Sequence, residues 1–423
     1  MNPRDCLLES FSVAVKAADP AHIVPQYLPQ PPHGRTFVVG AGKASAAMAA
    51  AVESAWPAEA PIDGIVVTRY GHGLPTQAIR IVEAGHPIPD ENGEQAAREM
   101  LAAVQVLTTE DLLLCLFSGG GSSLLPLPVN SISLQDLQTV TKQLLQCGAT
   151  IQEINIVRKH LSGIQGGRLA ATCRAAILSL IISDVTGDDA IHIASGPCIA
   201  DPSTFSDALA VLDRYHLDAP LSITRLLRAG QAGSVAETPK PGSPFFSRTE
   251  NTIIATAHQS LAAAENYFQA LGFNTLILGD TVTGEASEIA KSYAALVREI
   301  KSYPRLLKTP IALLSGGETT VTVKGNGRGG RNTEFLLSLF VQLGGMDNVY
   351  ALACDTDGLD GTENNAGAIL SPDSFIRIKQ LGLDPSSFLS NNDSYTFFQR
   401  LNDLVMTGPT RTNVNDYRVI LIL

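Results

Sequence analysis

Short apolar runs alternate along the chain with longer stretches whose apolar positions repeat with the period of a helix. This alternation is typical of a parallel sheet whose strands are joined by crossover helices. The apolar runs predict strands at Thr36–Val39, Gly64–Thr68, Ile79–Glu83, Leu112–Phe117, Ile177–Ser183, Thr252–Thr256, Thr275–Leu278, Ile311–Ser315, Val321–Lys324, Val349–Asp355 and Arg418–Leu423. The helical period predicts helices at Asp5–Ala18, Ala44–Ala55, Gly93–Leu107, Ser133–Gly148, Thr204–Tyr215, Gln259–Leu271, Glu285–Ser302 and Asn332–Leu343. The fold class is therefore expected to be α/β.

At 423 residues the chain is longer than one ordinary hydrophobic core, so two domains are expected. The stretch Ala219–Arg248 contains four prolines and no clear periodicity, which favours a boundary near residue 245. We expect a Rossmann-like nucleotide-binding domain over residues 1–245 and a second α/β domain over residues 246–423. Both sheets are expected to be mostly parallel, with a ligand cleft between the domains. The strand-like tail, residues 407–423, is a candidate to return to the first domain.

Composition narrows the class of protein. Apolar residues make up 45% and charged residues 17% of the chain, as in a well-packed globular protein. A net charge of −11 argues against nucleic acid as a partner. The longest apolar run, Ala175–Ile182, is too short to span a bilayer, and six cysteines without a Cys-x-x-Cys pair favour free thiols. We expect a cytoplasmic protein that binds neither membrane nor nucleic acid; a homo-oligomer is left open.

Five loops rich in small residues each follow a predicted strand. They are Gly40–Lys43, Ser118–Ser123, Ser183–Asp189, Ser315–Thr319 and Gly325–Asn332. Glycine lets backbone N–H groups approach a ligand closely, and a helix that follows adds a positive N-terminus. Basic and acidic side chains lie in or beside these loops, which favours a nucleoside triphosphate with a metal ion and a small acidic partner.

Two of the loops are candidates to bind phosphate. The turn Gly40–Ser45 carries Lys43 at the start of a helix, and Gly42 is expected to contact phosphate there. This turn departs from the dinucleotide-binding fingerprint because Ser45 occupies the third glycine position. The second loop combines three glycines with three hydroxyls but lacks the Walker lysine; its residues are Ser118, Gly119, Gly120, Gly121, Ser122 and Ser123. A plain tight turn is the alternative for the first loop, and a flexible turn is the alternative for the second.

Acidic residues after the next strand suggest a metal site. Asp184, Asp188 and Asp189 lie in one loop, and Mg²⁺ prefers one or two carboxylates together with phosphate oxygens. Asp184 and Asp188 are the predicted ligands, while ordinary turn and cap roles are the alternative. Glu318 is a further candidate to contact a metal, a substrate hydroxyl or Arg328.

Later loops supply candidates for substrate contact. Arg328 lies among glycines, and an arginine on such a loop suits phosphoryl transfer. Arg331 has an alternative as the partner of Glu334 at the i,i+3 spacing. Asn413 lies in the polar loop before the last strand, where it is expected to cap a ligand.

Together these segments resemble the glycerate 2-kinase family, the class with a C-terminal MOFRL domain. The matching segments are Val39–Ser45, Glu83–Gly93, Phe117–Ser123, Asn155–Leu169, Ile182–Pro202, Leu314–Val323, Gly327–Glu334, Asp355–Gly367 and Thr407–Asp416. The resemblance implies ATP-dependent phosphorylation of the 2-hydroxyl of D-glycerate, with Mg²⁺, to give 2-phosphoglycerate. It also implies two Rossmann-like domains with the site between them. Within the family, the chain most resembles a bacterial branch often labelled as tartrate-utilisation hydroxypyruvate reductase.

The resemblance also assigns roles to residues. Lys43 and Arg328 match the family's proposed catalytic basic residues, and Ser118–Ser123 matches its nucleotide-binding region. Lys43 would then hold phosphate oxygens, Arg328 the transferring group or the glycerate carboxylate, and Asp189 or Glu318 the attacking hydroxyl. Two alternatives remain, an NAD(P)H-dependent hydroxypyruvate reductase and a non-catalytic sensor of small acids. The reductase would need a complete dinucleotide turn, which Ser45 interrupts.

Overall fold

The computed structural model describes residues 2–129, 131–303 and 307–423, and these fold into two compact units. The N-terminal domain is Pro20–Ile254. The C-terminal domain combines the described residues up to Asp19 with Ala255–Leu423. The boundary at Ile254 thus lies later in the chain than the predicted position near residue 245. The strand that completes the first sheet lies between these two positions.

Both domains consist of strands and helices in alternation. The strands are β1 Thr36–Ala41, β2 Ile62–Arg69, β3 Ile79–Ala84, β4 Leu112–Phe117, β5 Ala176–Ile182, β6 Thr249–Ala255, β7 Asn274–Gly279, β8 Thr283–Glu285, β9 Ile311–Ser315, β10 Glu318–Thr320, β11 Val349–Asp355, β12 Gly367–Leu370, β13 Leu404–Val405 and β14 Asp416–Ile422. The α-helices are α1 Pro3–Ala17, α2 Pro20–Ile23, α3 Ser45–Ala55, α4 Glu91–Gln105, α5 Gly121–Leu124, α6 Leu134–Gln146, α7 Ile151–Leu161, α8 Arg168–Thr172, α9 Phe205–Arg214, α10 Leu221–Gln231, α11 Ala257–Ala270, α12 Ala286–Ser302, α13 Arg331–Leu343, α14 Pro372–Leu381, α15 Pro385–Ser390 and α16 Ser394–Leu401.

The sheet of the N-terminal domain has the strand order β3-β2-β1-β4-β5-β6. The pairs from β3 to β5 are parallel, as predicted. Every residue of β1 and β4 is buried, because helices cover both faces of a parallel sheet. This is the order of a doubly wound dinucleotide fold, in which ligands bind where the order reverses, outside the carboxyl ends of the strands. Here the reversal lies between β1 and β4, so the loops after these two strands occupy the expected ligand position.

The proline-containing stretch Ala219–Arg248 is not a linker. Its first part forms α10, whose Ile223 and Leu227 are fully buried in a small core with Phe205 and Leu212 of α9. Apolar residues at the i,i+4 spacing therefore form a helix here although prolines lie on both sides of it.

The C-terminal domain departs from the predicted parallel topology. Its main sheet has the order β13-β12-β11-β14-β9-β7, and only the β7–β9 pair is parallel; the other four pairs are antiparallel. The prediction that residues 407–423 return to the first domain is wrong, because β14 lies between β11 and β9. All seven residues of β14 are buried, as an interior strand requires.

The amphipathic N-terminal helix belongs to the C-terminal domain. Leu7 and Phe11 of α1 pack in a core that includes Phe268 and Val419. The prediction of a strand at Val321–Lys324 is wrong, since that segment is irregular and the short strand β10 precedes it. Within the described residues, no helix is long and apolar enough to cross a membrane. The six cysteines are free thiols, and all but Cys147 are buried.

Candidate active site

In the turn between β1 and α3, the backbone N–H groups already donate hydrogen bonds to the protein itself. Four consecutive N–H groups, from Gly42 to Ser45, donate to protein oxygens over 2.8–3.2 Å; the acceptors are, in order, Val67 O, Gly119 O, Ser118 Oγ and Gly42 O. A dinucleotide-binding turn instead directs such groups at a pyrophosphate. The N–H of Gly42 is therefore already bonded to protein, and the phosphate contact predicted for Gly42 stays a prediction.

Gly42 instead allows two loops to pack closely against each other. Its φ is +146°, and a β-carbon there would collide with the side chain and carbonyl of Ser118. Ser118 is fully buried, and its hydroxyl accepts the N–H of Ala44. Ser118 therefore joins the loop after β4 to the loop after β1, and its predicted role as a phosphate donor stays a prediction.

The loop after β4 brings together chemically active side chains from other strand ends. A β-carbon on Gly119 would collide with the carboxylate of Asp184. A β-carbon on Gly120 would lie 2.8 Å from His86 Nε2 and 3.6 Å from Lys43 Cγ. Because glycine has no side chain at these two positions, the side chains of Lys43, His86 and Asp184 all lie close to the same short stretch of backbone.

The same loop presents unsatisfied backbone donors. The N–H groups of Gly119, Gly120 and Ser122 have no acceptor in the part of the chain that the structure describes. Gly121 instead packs tightly, since a β-carbon there would lie 2.6 Å from Ala41 O. Ser123 donates its hydroxyl to Gly120 O over 3.1 Å. Within the predicted phosphate cradle, Gly119, Gly120 and Ser122 are thus the residues whose N–H groups have no acceptor among the described residues.

A buried hydrogen-bond chain, which sequence reasoning missed, supports this loop. Ser195 donates to Ser122 Oγ over 2.8 Å and lies 3.1 Å from Asn155 Oδ1. Asn155 donates in turn to His192 O over 3.1 Å. Ser195 has φ +54°, a conformation that side chains rarely adopt and that commonly marks functional sites. The sequence signal for this support lies in the segments Asn155–Leu169 and Ile182–Pro202, which carry the family resemblance and contain Asn155, His192 and Ser195.

The acidic loop after β5 separates its three carboxylates. Asp184 lies against Gly119, as described above. Asp189 is 55% exposed on its side chain, and its Oδ1 accepts the N–H of Ile191 over 3.1 Å. Asp188 is half-buried with φ +54°. Among the described residues, no group of three or more His, Cys, Asp or Glu side chains is arranged to hold a metal by protein ligands alone.

In the C-terminal domain, Arg331 is the centre of an ion-pair network. Its guanidinium lies 3.2 Å from Glu318 Oε1, 2.7 Å from Asp355 Oδ2 and 2.8 Å from Asp416 Oδ1. Burial would lower the pKa of Arg331, but the carboxylates of Asp416 and Asp355 more than offset this and hold it well above its usual range. The alternative pairing with Glu334 is therefore wrong.

Arg328 has separate partners. Its Nε lies 3.2 Å from Glu363 Oε1, a second nitrogen contacts Glu363 Oε2, and the guanidinium lies 4.4 Å from the centre of the Tyr395 ring. The backbone is fixed as well: Arg328 N donates to Asp393 Oδ1 over 3.0 Å, and Tyr395 N donates to Arg328 O over 2.8 Å. Glu318 therefore contacts Arg331, while Arg328 projects from an anchored loop with 56% of its side chain exposed.

Two further polar residues have structural partners. Asp360, fully buried, accepts the N–H groups of Asn332 and Thr333 over 2.9 Å and so caps the start of α13. Asn413 is buried, and its Oδ1 accepts the N–H of Asn415 over 3.2 Å. Asn413 thus shapes the polar loop before β14.

Comparisons with known proteins agree with this arrangement. A domain of unknown function, DUF4147, matches residues 6–228, and the MOFRL family matches residues 311–416. A protein of Agrobacterium vitis, provisionally named a hydroxypyruvate reductase, is 49% identical over 100% of this chain and 95% of its own length. The D-glycerate 2-kinase of Thermotoga maritima is 40% identical over 98% of this chain and 97% of its own. The crystal structure of glycerate kinase from the same organism superposes with a TM-score of 0.89 at 40% identity, over 99% of both chains. The chain therefore belongs to the glycerate 2-kinase family.

Proposed function

We propose that this protein is an ATP-dependent glycerate 2-kinase that transfers the terminal phosphoryl group of ATP to the 2-hydroxyl of D-glycerate. The products are ADP and 2-phosphoglycerate. The observation that carries the proposal is the loop after β4, where unsatisfied N–H groups of Gly119 and Gly120 adjoin Lys43 and Asp184 at the switch point of the sheet. This is a site for a polyanion, and relatives that match almost the whole chain are named glycerate kinases.

Phosphoryl transfer needs positioning and charge neutralisation more than covalent chemistry. The N–H groups of Gly119, Gly120 and Ser122 hold phosphate oxygens in this proposal. Lys43 neutralises the charge that develops on the transferring group. Its backbone N–H donates to Gly119 O over 2.8 Å, so the lysine is fixed to the loop that it serves. Such preorganised donors lose little free energy to reorganisation during the reaction.

A magnesium ion fits this site. The Asp184 carboxylate lies against the phosphate-binding glycines, and Mg²⁺ is commonly held by one or two carboxylates together with phosphate oxygens. Asp184 would hold the ion, with Asp188 of the same loop as the second candidate. When bound, the ion supplies further neutralisation of the phosphate charge. The absence of a three-residue metal cluster in the described residues agrees with an ion that phosphates help to hold.

The remaining assignments concern D-glycerate. Asp189 is exposed, so its carboxylate is accessible to the attacking hydroxyl that it would orient. Arg328 can bind two oxygens of a carboxylate or of a phosphoryl group through its planar guanidinium. Glu318 and Asn413 remain proposed substrate contacts, although each has a protein partner. Free cysteines and the use of ATP support a cytoplasmic location for the proposed activity.

A hydroxypyruvate reductase is the second candidate, because the Agrobacterium vitis relative carries that name and the strand order suits a dinucleotide. The β1–α3 turn opposes it, since four successive N–H groups are already bonded to protein. In addition, β2 ends in Thr68 and Arg69, without the carboxylate that binds the ribose of NAD. This opposes NADH but not NADPH, because an arginine such as Arg69 can accommodate the 2′-phosphate of NADP.

One experiment separates the two activities. Purified protein is incubated with D-glycerate, ATP and Mg²⁺, and separately with hydroxypyruvate and NADH or NADPH. Products are identified by ³¹P NMR and by nicotinamide absorbance. The proposal requires ADP and 2-phosphoglycerate to form at a substantial rate. Nicotinamide oxidation without phosphorylation of glycerate establishes the reductase, and tight ligand binding without either reaction establishes a sensor.

A further inference from the structure

Helix α7 carries three consecutive basic residues, and two of them are compensated. Lys159 Nζ lies 2.7 Å from Asp201 Oδ1, and His160 Nε2 lies 3.2 Å from Glu237 Oε2. Arg158, the first of the three, has no carboxylate and no hydrogen-bond acceptor within bonding distance among residues 2–129, 131–303 and 307–423. Its positive charge is therefore uncompensated by the protein.

Arg158 is also half-buried, so its guanidinium is partly removed from water. Burial lowers its pKa to about 10, and no nearby charge opposes this effect. A cation removed from water without a counterion costs free energy, and an anion that binds beside it offsets that cost.

The position of Arg158 indicates that such an anion would bind at the loop after β4. Arg158 lines a small cavity with Ser122, Ser123 and Gln165, next to the loop after β4. Lys43 adjoins the Gly120 end of that loop, so the two cations contact different ends of it. The amide of Gln165 donates to Ser122 O over 2.8 Å and to Leu125 O over 3.2 Å, which fixes the loop beside the guanidinium.

The cavity itself is about 10 Å³, room for one water molecule. The buried Oε1 of Gln165, which has no hydrogen-bond partner among the described residues, lies in the same group of lining residues. A whole ligand does not fit inside. An oxyanion on the loop would therefore be met by the end of the arginine side chain, whose rotatable bonds allow it to reach Ser122 and Ser123.

We propose that Arg158 is a second cationic anchor of the active site, binding a substrate oxyanion at the Ser122–Ser123 end of the loop. The inference rests on the proposed function, which supplies two such oxyanions, a phosphate of the nucleotide and the carboxylate of glycerate. The planar guanidinium binds either of them through two parallel hydrogen bonds.

The test combines binding and stability. Arg158→Met removes the charge and keeps much of the side-chain length, and isothermal titration measures the Kd of ADP and of D-glycerate separately. We expect the Kd of one ligand to rise by about 10- to 100-fold, the effect of losing a charged hydrogen bond. The Tm of the ligand-free variant should equal or exceed that of wild type, because an unpaired buried charge is gone. A rise for ADP identifies the phosphate, and a rise for D-glycerate identifies the carboxylate.

Arg168→Met is the matched control. Arg168 is another buried arginine of the same domain, but its Nη1 donates to Lys159 O over 2.7 Å. This variant should lose stability and keep both Kd values. Arg158→Lys retains the charge without the fork, so its affected Kd should lie between those of wild type and Arg158→Met.

Wild-type Kd values for both ligands in Arg158→Met overturn the proposal and leave Arg158 as an arginine hydrated by one water. Should that variant not fold, Arg158→Lys decides: a raised Kd for one ligand supports the contact, and unchanged values overturn it. Failure of the kinase assay in wild type is a separate result, because the titrations detect anion binding whether or not phosphate is transferred.

Discussion

Lys159 Nζ lies 2.7 Å from Asp201 Oδ1, and both side chains are almost completely buried. The carboxylate is further satisfied by Ser203, whose hydroxyl donates over 2.6 Å, and by Thr238, whose hydroxyl donates over 3.0 Å. This ion pair fixes α7, which carries Asn155 and Arg158, to the segments that follow Asp201 and precede Lys240. The position of the loop-supporting residues thus depends on a charge pair outside the candidate site.

Removal of one partner should therefore be costly. Lys159→Met leaves a buried carboxylate without its counterion, and we expect the free energy of unfolding to fall by about 3–5 kcal/mol. Urea unfolding followed by circular dichroism measures the change. Lys142→Met, at an exposed lysine of α6, should change it by less than about 0.5 kcal/mol. Adding Asp201→Asn to Lys159→Met should cost less than the sum of the single changes; strict additivity would show that the pair is not coupled.

Lys43→Ala tests the central assignment of the proposed kinase. The backbone bonds of residue 43 do not depend on its side chain, so the variant should fold. We expect kcat to fall by about 10²-fold or more, as for the loss of one preorganised electrostatic donor. Steady-state assays of ADP formation measure this effect, with Lys142→Ala as the control. Turnover close to wild type in folded Lys43→Ala would identify an ordinary helix-start lysine.

Gly120 and Gly71 form a matched pair, with φ +79° and +77°. A β-carbon on Gly71 meets no atom within 4 Å, whereas one on Gly120 presses on His86. Each alanine substitution should cost about 1–2 kcal/mol through its positive φ. Only Gly120→Ala should also lower kcat/KM, by on the order of 10²-fold, because a small displacement of groups in an active site strongly lowers the rate. Equal kinetic behaviour of the two variants would remove the Gly120 loop from the site.

Variants of Arg328 and of its partner Glu363 distinguish the structural role of their ion pair from the proposed role of Arg328 in phosphoryl transfer. Arg328→Lys keeps the charge but loses the planar fork, so kcat/KM should fall clearly, and Arg328→Ala should lower it further. Stability should change by less than about 1 kcal/mol, since the Arg328 side of the ion pair with Glu363 is exposed. Glu363→Gln removes the same ion pair while retaining the arginine. If Glu363→Gln and Arg328→Ala have the same kinetics, the arginine only anchors its loop.

Glu334 should make stability depend on pH. Burial raises its pKa to about 7, although Asn392 donates a hydrogen bond to its carboxylate over 3.2 Å. The folded state therefore holds a proton that the unfolded chain releases near pH 4.3, and stability falls as the pH rises from there to about 7. Over this pH range the free energy of unfolding should fall by up to about 3 kcal/mol. Glu334→Gln should reduce the difference between urea midpoints at pH 5 and pH 8; an unchanged difference would assign it to other groups.

The N-terminal sheet could be predicted because each of its buried strands is a continuous apolar run. The antiparallel pairing of the C-terminal sheet could not be predicted, because the sequences of strands as short as Gly367–Leu370 and Leu404–Val405 do not indicate their direction. Apolar content alone made Val321–Lys324 resemble a strand. In the structure the N–H of Thr322 bonds instead to the side chain of Glu285, a partner far away in sequence.

The candidate site was likewise predicted only in part. The glycines of the loop after β4 could be recognised because three in succession are uncommon outside ligand loops. Their division into N–H donors and packing residues depends on contacts with β1, which sequence does not display. Arg158 was missed for a related reason: its lack of a partner is a property of the folded neighbourhood and not of the Arg-Lys-His triplet itself.

The composition of the C-terminal domain has a consequence for synthesis on the ribosome. Helix α1 is made first, but Phe268 and Val419, against which it packs, follow only after the whole N-terminal domain. At ordinary translation rates this delay is on the order of 10 s or more. During that time the N-terminal domain can fold while α1 waits with Leu7 and Phe11 uncovered. The nascent chain therefore carries an amphipathic helix whose apolar face stays uncovered until the C-terminal domain is complete.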